Sequence, residues 1–147
     1  KRADILEEYN MELNWTPNIW MGVSVENEKV MGRIDHLRKT NAYIKFLSLE
    51  PLIGPLPNLN LTGINWAIVG GESGHKARPI KKEWVDDIRK QCKDKGVHFF
   101  FKQWGKAMFN SNPEDPTIKA DHPHHAKGGC RLNGRIYRDM PSVRPAL

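Results

Sequence analysis

Asn65–Pro79 reads NWAIVGGESGHKARP. The run from Trp66 to Val69 is almost unbrokenly apolar, as in a strand covered on both faces, and such strands belong to parallel sheets. It stops at Gly70 and Gly71, which remove side chains where the backbone must turn or let another group approach, and Glu72 and Ser73 follow. A buried strand with a polar exit is therefore the unit around which the rest of the chain is read.

Downstream, Lys81–Lys95 is the clearest helix. Trp84, Val85, Ile88 and Cys92 share one face, acids crowd its first half, lysines its last turns, and Gly96 ends it. Next comes VHFFFKQWG, Val97–Gly105, which reads as a strand. Upstream, apolar residues Ile5, Leu6, Tyr9 and Leu13 predict a helix over Ala3–Leu13, stopped at Trp15–Pro17. A strand then runs from about Ile19 to Glu26. Asn27 can cap a second helix reaching about Thr40, with Val30, Ile34 and Leu37 on one stripe. YIKFLSLEP gives another strand, ended by Pro51, and Leu52–Gly63 has no helical period and reads as a loop.

Past Gly105 the periodicity dissolves, and residues 106–128 are expected to form an irregular loop. Asn133-Gly134 then sits between short β-compatible runs, the signal of a two-residue hairpin turn. Strands alternating with helices predict an α/β fold with about four parallel strands, followed by a C-terminal β-hairpin. At 147 residues this is one domain over 1–147.

In a parallel sheet the ligand site lies at the C-terminal strand ends. Side chains alternate faces, so Ser24 with Glu26, Ser48 with Glu50, Gly70 with Glu72, and Phe100 with Lys102 each point one way. Three strands end in a carboxylate and one in an ammonium. If they share a face, Glu26, Glu50, Glu72 and Lys102 converge on one mouth as candidate catalytic groups, although acids there also serve as solvated loop residues or helix caps. Ser24, Asn27, Ser48, Gly70, Gly71 and Ser73 are the accompanying candidate ligand contacts. Arg78 either offers a planar fork to a carboxylate or phosphate or pairs with a neighbouring acid. Lys102, Gln103 and Trp104 present a cation, an amide and a ring suited to a small-molecule or nucleotide-like ligand, unless Trp104 packs under the tail.

Other chemistries are disfavoured. The glycines lack the spacing of a dinucleotide fingerprint or a P-loop. His122, His124, His125 and Cys130 fit no settled zinc spacing, so no metal site is assigned. No serine or cysteine has an identifiable histidine partner for nucleophilic catalysis. The net charge of +6 permits nucleic-acid binding, but the basic residues are scattered among acids. No apolar run reaches the roughly 20 residues of a membrane span and nothing reads as a secretory signal, so a cytoplasmic protein without a membrane partner is expected.

The segments WMGVSVEN, FLSLEPLIGPL, GINWAIVGGESGHKARP and FFFKQWG, in this order, resemble an uncharacterised phage-associated family named for gene products 37 and 68. The resemblance resumes at GGCRLNGRIYRDMP. It implies kinship with radical S-adenosylmethionine proteins whose three-cysteine segment, lying upstream, holds an iron–sulfur cluster; the cofactor and cluster would belong to the intact protein. Complete members of the family look like partial β/α (TIM-like) barrels, and this chain resembles only their C-terminal half; neither Cys92 nor Cys130 matches those cysteines, so the chain is expected to lack the cluster ligands and to carry no cofactor of its own. The motifs place Ser24, Glu26, Asn27, Ser48, Glu50, Gly70, Gly71, Glu72, Ser73, Lys102, Gln103 and Trp104 at the barrel mouth. Four strands cannot close a barrel, so a missing N-terminal half or self-association is expected to cover what they leave open. A non-catalytic basic module that stacks nucleic acid on Trp104 and Arg78 is the alternative function, and whether the chain is itself an enzyme stays open.

Overall fold

The computed structural model describes residues 2–142. Four strands, β1 (Trp20–Ser24), β2 (Ile44–Leu49), β3 (Trp66–Gly70) and β4 (His98–Gln103), form one sheet in the order β1-β2-β3-β4. All neighbours are parallel. The sheet does not close into a barrel. A separate antiparallel hairpin, β5 (Arg131–Leu132) and β6 (Arg135–Ile136), turns at Asn133 and Gly134, both with positive φ, as a two-residue hairpin loop requires.

Val23, Leu47, Leu49, Ala67, Val69, Phe99 and Phe101 alternate along the strands and are buried on one face. Ile34 and Leu37 of α2 (Arg33–Arg38) and Val85, Ile88 and Cys92 of α3 (Lys82–Lys95) join them in one core. α3 ends at Gly96, whose φ of 66° is the left-handed cap that its sequence announces.

Between β2 and β3 the expected loop is found, but Leu52, Leu56, Leu59 and Leu61 of that loop are all core residues. The loop therefore covers the sheet where a crossover helix would otherwise lie. Gln91 of α3 clamps it, donating from Nε2 to the Leu56 carbonyl at 2.9 Å and accepting from the Leu59 amide at 2.7 Å. These bonds satisfy backbone groups that an irregular segment leaves without internal partners.

Two helices are shorter than their periodicity suggests. α1 spans only Ala3–Glu8, followed by a 3-10 turn at Asn10–Glu12. Asn10 is buried, and its side-chain oxygen accepts from the Asn41 amide at 2.7 Å, a tertiary bond that fixes the chain at that point. Asn27 does act as a cap, accepting from the Lys29 amide, but what it starts is a 3-10 turn at Glu28–Val30 before α2 begins.

β3 is also less enclosed than its apolar run implies. On the face away from the helices Trp66 and Ile68 are only half-buried. There the rings of Trp20, Phe46 and Phe100 surround Trp66 at centroid separations of 5.8–5.9 Å, so the aromatics cover one another.

Candidate functional site

The parallel register brings Ser24 beside Ser48, Ser48 beside Ile68 and Ile68 beside Phe100. A shift after Val69 then sets Gly70 opposite Gln103. Every strand-end acid has a cationic partner, and the three pairs differ in kind.

Glu26 Oε2 accepts from Arg33 Nη1 at 3.0 Å, and the same nitrogen reaches the Ser24 carbonyl at 2.8 Å. Both side chains are mostly buried. This pair ties α2 to the end of β1.

Glu72 accepts three bonds from Arg78: Oε2 from the amide at 2.8 Å and from Nε at 2.9 Å, and Oε1 from Nη2 at 2.9 Å. It closes the exposed loop between them. The guanidinium bonds, followed by the backbone amide, hold the Glu72 carboxyl down at about 2. Arg78 is pushed up in return, first by Glu72, with Glu26 adding a smaller attraction across the mouth.

Glu50 Oε2 accepts from Lys102 Nζ at 2.9 Å. The Glu50 side chain is recessed, at 19% exposure, while the Lys102 side chain is 53% exposed. This is the pair that faces a cleft of about 340 Å³, lined by Glu50, Pro51, Gly71, Glu72, Ser73, Lys102 and Gln103.

The glycines explain how the backbone comes together here. A Cβ on Gly71 would lie 2.1 Å from the Trp104 carbonyl oxygen, and one on Gly105 would lie 2.0 Å from that of Glu72. The two strand exits pass at backbone contact, joined by a bond from the Gly71 amide to the Gln103 carbonyl at 2.9 Å.

Glu50, Glu72 and Lys102 are thus brought together, as the alternation of faces predicts, with Gly71, Ser73 and Gln103 lining the same cleft, whereas Glu26, expected at the same mouth, does not line it and is held by Arg33 instead. Gly70 lies under Glu50, and Ser24 and Ser48 form a row below the mouth. Arg78 is at the rim, engaged with Glu72. Asn27 does not reach the cleft: it caps its 3-10 turn and packs against Gly54. Trp104 does not reach it either. It is fully buried, stacked edge-on against Phe101 and donating from Nε1 to the Arg131 carbonyl at 2.9 Å, so the tail covers it. Sequence reasoning missed Arg33 as the Glu26 partner and Gly105 as the counterpart of Gly71; a Gly directly after a strand exit was the available signal for the second.

The residues do not suit an iron–sulfur cluster. Cys92 lies in the core of α3 with its thiol pushed up to about 12 by burial, Cys130 is buried under the tail, and among the described residues no three His, Cys, Asp or Glu side chains could hold a metal ion. The histidines of residues 122–125 bond locally, the His124 amide to His122 Nδ1 and His125 Nδ1 to the Lys119 carbonyl. No helix is long and apolar enough to cross a membrane among the described residues.

The chain belongs to a family described as a protein of unknown function (DUF5131), whose model matches residues 1–141. The match carries no information on phage origin or radical chemistry. No curated protein and no solved structure matches the chain.

Proposed function

We propose, taking membership of that uncharacterised family as the premise, that the strand-end cleft positions a small polar ligand, cofactor or substrate, within the C-terminal half of a radical S-adenosylmethionine-like protein. The observation that supports this reading is the Glu50–Lys102 pair at 2.9 Å, facing a cleft also lined by Ser73 and Gln103. A ligand with an ammonium and a carboxylate can exchange partners with such a pair: its ammonium takes the Glu50 oxygens, its carboxylate the Lys102 hydrogens. The Ser73 hydroxyl and the Gln103 amide then fix orientation.

The amino-acid end of S-adenosylmethionine fits that donor and acceptor set. The cofactor, when bound, would supply radical chemistry, with its cluster held outside the described residues. This chain's residues bind and orient. Glu26 and Glu72 have structural rather than catalytic parts in this scheme, because each already spends its carboxylate on an arginine. The nucleic-acid reading is weakened by the burial of Trp104, which removes its stacking surface.

Methionine titrated into the isotope-labelled chain tests the reading. Amide resonances of Gly71, Ser73 and Gln103 should move, and Glu50→Gln or Lys102→Met should each weaken the response about tenfold. Unmoved resonances at these positions up to millimolar methionine would sink it.

A further inference from the structure

We infer that the loop from Ser73 to Lys76, with Lys106 beside it, is an anion subsite that takes a phosphate group on the small-molecule ligand of the cleft. The inference rests on the cleft being a binding site and narrows its occupant to a phosphorylated metabolite with an ammonium or carboxylate end.

Three observations converge on this loop. Ser73, Gly74, His75 and Lys76 are all exposed, and none of their amides donates to a protein acceptor among the described residues. Gly74 has a φ of +111°, with nothing near the place a Cβ would take. Successive unspent amides in a turn around a glycine of positive φ are donors of the kind that phosphate oxygens accept from.

Cations are the second element. Lys106 Nζ donates to the His75 carbonyl at 2.8 Å, which holds the ammonium against the loop. No carboxylate lies within ion-pair distance of it, or of Lys76, among the described residues. The neighbouring charges cancel in pairs, Arg78 with Glu72 and Lys102 with Glu50. Lys76 and Lys106 therefore leave this side of the mouth positive, and Lys106 keeps two hydrogens unspent.

Position is the third. Ser73 both lines the cleft and begins the loop, so one ligand can span the two. The Glu72–Arg78 clip joins the ends of the loop and limits how far its amides can wander.

Inorganic phosphate is the probe. Titrated into the labelled chain, it should move the amides of Ser73, Gly74, His75 and Lys76, and the Lys76→Ala/Lys106→Ala variant should bind it at least about tenfold more weakly. The variant's methionine response at Gly71 and Gln103 should match the parent's, because neither lysine lines the cleft. Phosphate shifts absent from this loop, or spread equally over Lys90, Lys93 and Lys95, would overturn the subsite. Loss of methionine binding with phosphate binding intact would instead sink the reading of the cleft. Single-stranded DNA that binds through the same lysines more tightly than phosphate, with a steep salt dependence, would overturn the small-molecule class.

Discussion

Glu50 and Lys102 meet at 2.9 Å although β3 lies between the strands that carry them. They can do so because Gly70 has no side chain: a Cβ there would stand 3.2 Å from Glu50 Cγ and Cδ. Gly70→Ala should therefore displace the carboxylate by a few tenths of an ångström. The expected result is severalfold weaker methionine binding with a stability loss of about 1 kcal/mol, measured by titration and by urea unfolding of the same sample. Unchanged binding would mean that the pair is not the recognition element.

Glu72 and Arg78 give a pH prediction of definite sign. The carboxyl is held at about 2 in the folded protein against an ordinary value of 4.5. A depressed acid contributes its stabilisation fully above its unfolded value and loses it as pH falls through the folded value. The clip's contribution to stability should thus be complete at neutral pH and shrink as pH falls from about 4.5 to about 2, and the clip itself should open only as Glu72 takes its proton near 2. Carboxyl carbon resonances should show Glu72 titrating near 2, and Arg78→Ala should return it toward 4.5. A midpoint near 4.5 in the parent chain would show that the clip does not form.

The sequence carries much of this arrangement. The alternation of faces in SVE, SLE and FFK, and the glycine–glycine exit of β3, place Glu50, Glu72 and Lys102 on one side because strand geometry has a period of two. What alternation cannot give is partnership. Arg33 reaches Glu26 from a helix, and Arg78 folds back on Glu72 from the loop, contacts decided by tertiary approach. Trp104 follows the strand closely enough to look like part of its mouth, but the tail that covers it lies more than twenty residues further on. The Leu52–Leu61 loop read correctly as irregular, while its core role stayed hidden because four leucines without a helical or strand period give no face.

Gly71 and Gly105 form the tightest joint of the fold. An added methyl would fall 2.1 Å and 2.0 Å from backbone oxygens, which cannot move as the tip of a flexible side chain can. Gly105 also has a φ of 89°, which adds backbone strain to any replacement. Gly71→Ala and Gly105→Ala should each cost about 3 kcal/mol or more, seen as a large drop in denaturant midpoint or loss of soluble protein. A shift within error at either position would contradict the close passage of the two strand exits.

Residues 106–128 should be more ordered than their composition suggests, because a buried carboxylate organises them. Asp115 Oδ1 accepts from the Thr117 amide and hydroxyl, and Oδ2 from Asn110 Nδ2 and the Arg131 amide. Burial pushes this carboxyl up, but the four bonds together outweigh it and leave it below its ordinary value. Asp115→Asn turns one oxygen into a donor facing donors, so a loss of about 2–4 kcal/mol is expected. Hydrogen exchange should show faster exchange at Thr117, Cys130 and Arg131 in the variant. Equal protection would mean that the loop is held by something else.

The two edges of the sheet are not alike, and the difference predicts association. The outer side of β4 is covered by the tail, through Phe101 N to the Tyr137 carbonyl at 3.0 Å and Asp139 N to the Phe99 carbonyl at 3.3 Å. On the outer side of β1 the described residues supply only the Arg33 bond to the Ser24 carbonyl. Beside that edge the half-buried rings of Trp20, Phe46 and Trp66 form an apolar face over which the described residues place no helix, and among them the buried Trp66 indole nitrogen finds no acceptor. An open parallel edge next to an aromatic face invites an added strand, here from a second copy. The isolated chain should therefore associate with rising concentration in sedimentation velocity, and Trp20→Lys, which sets a charge at the edge, should shift it toward monomer. A parent chain that stays monomeric at high micromolar concentration would show that the four strands are sufficient alone.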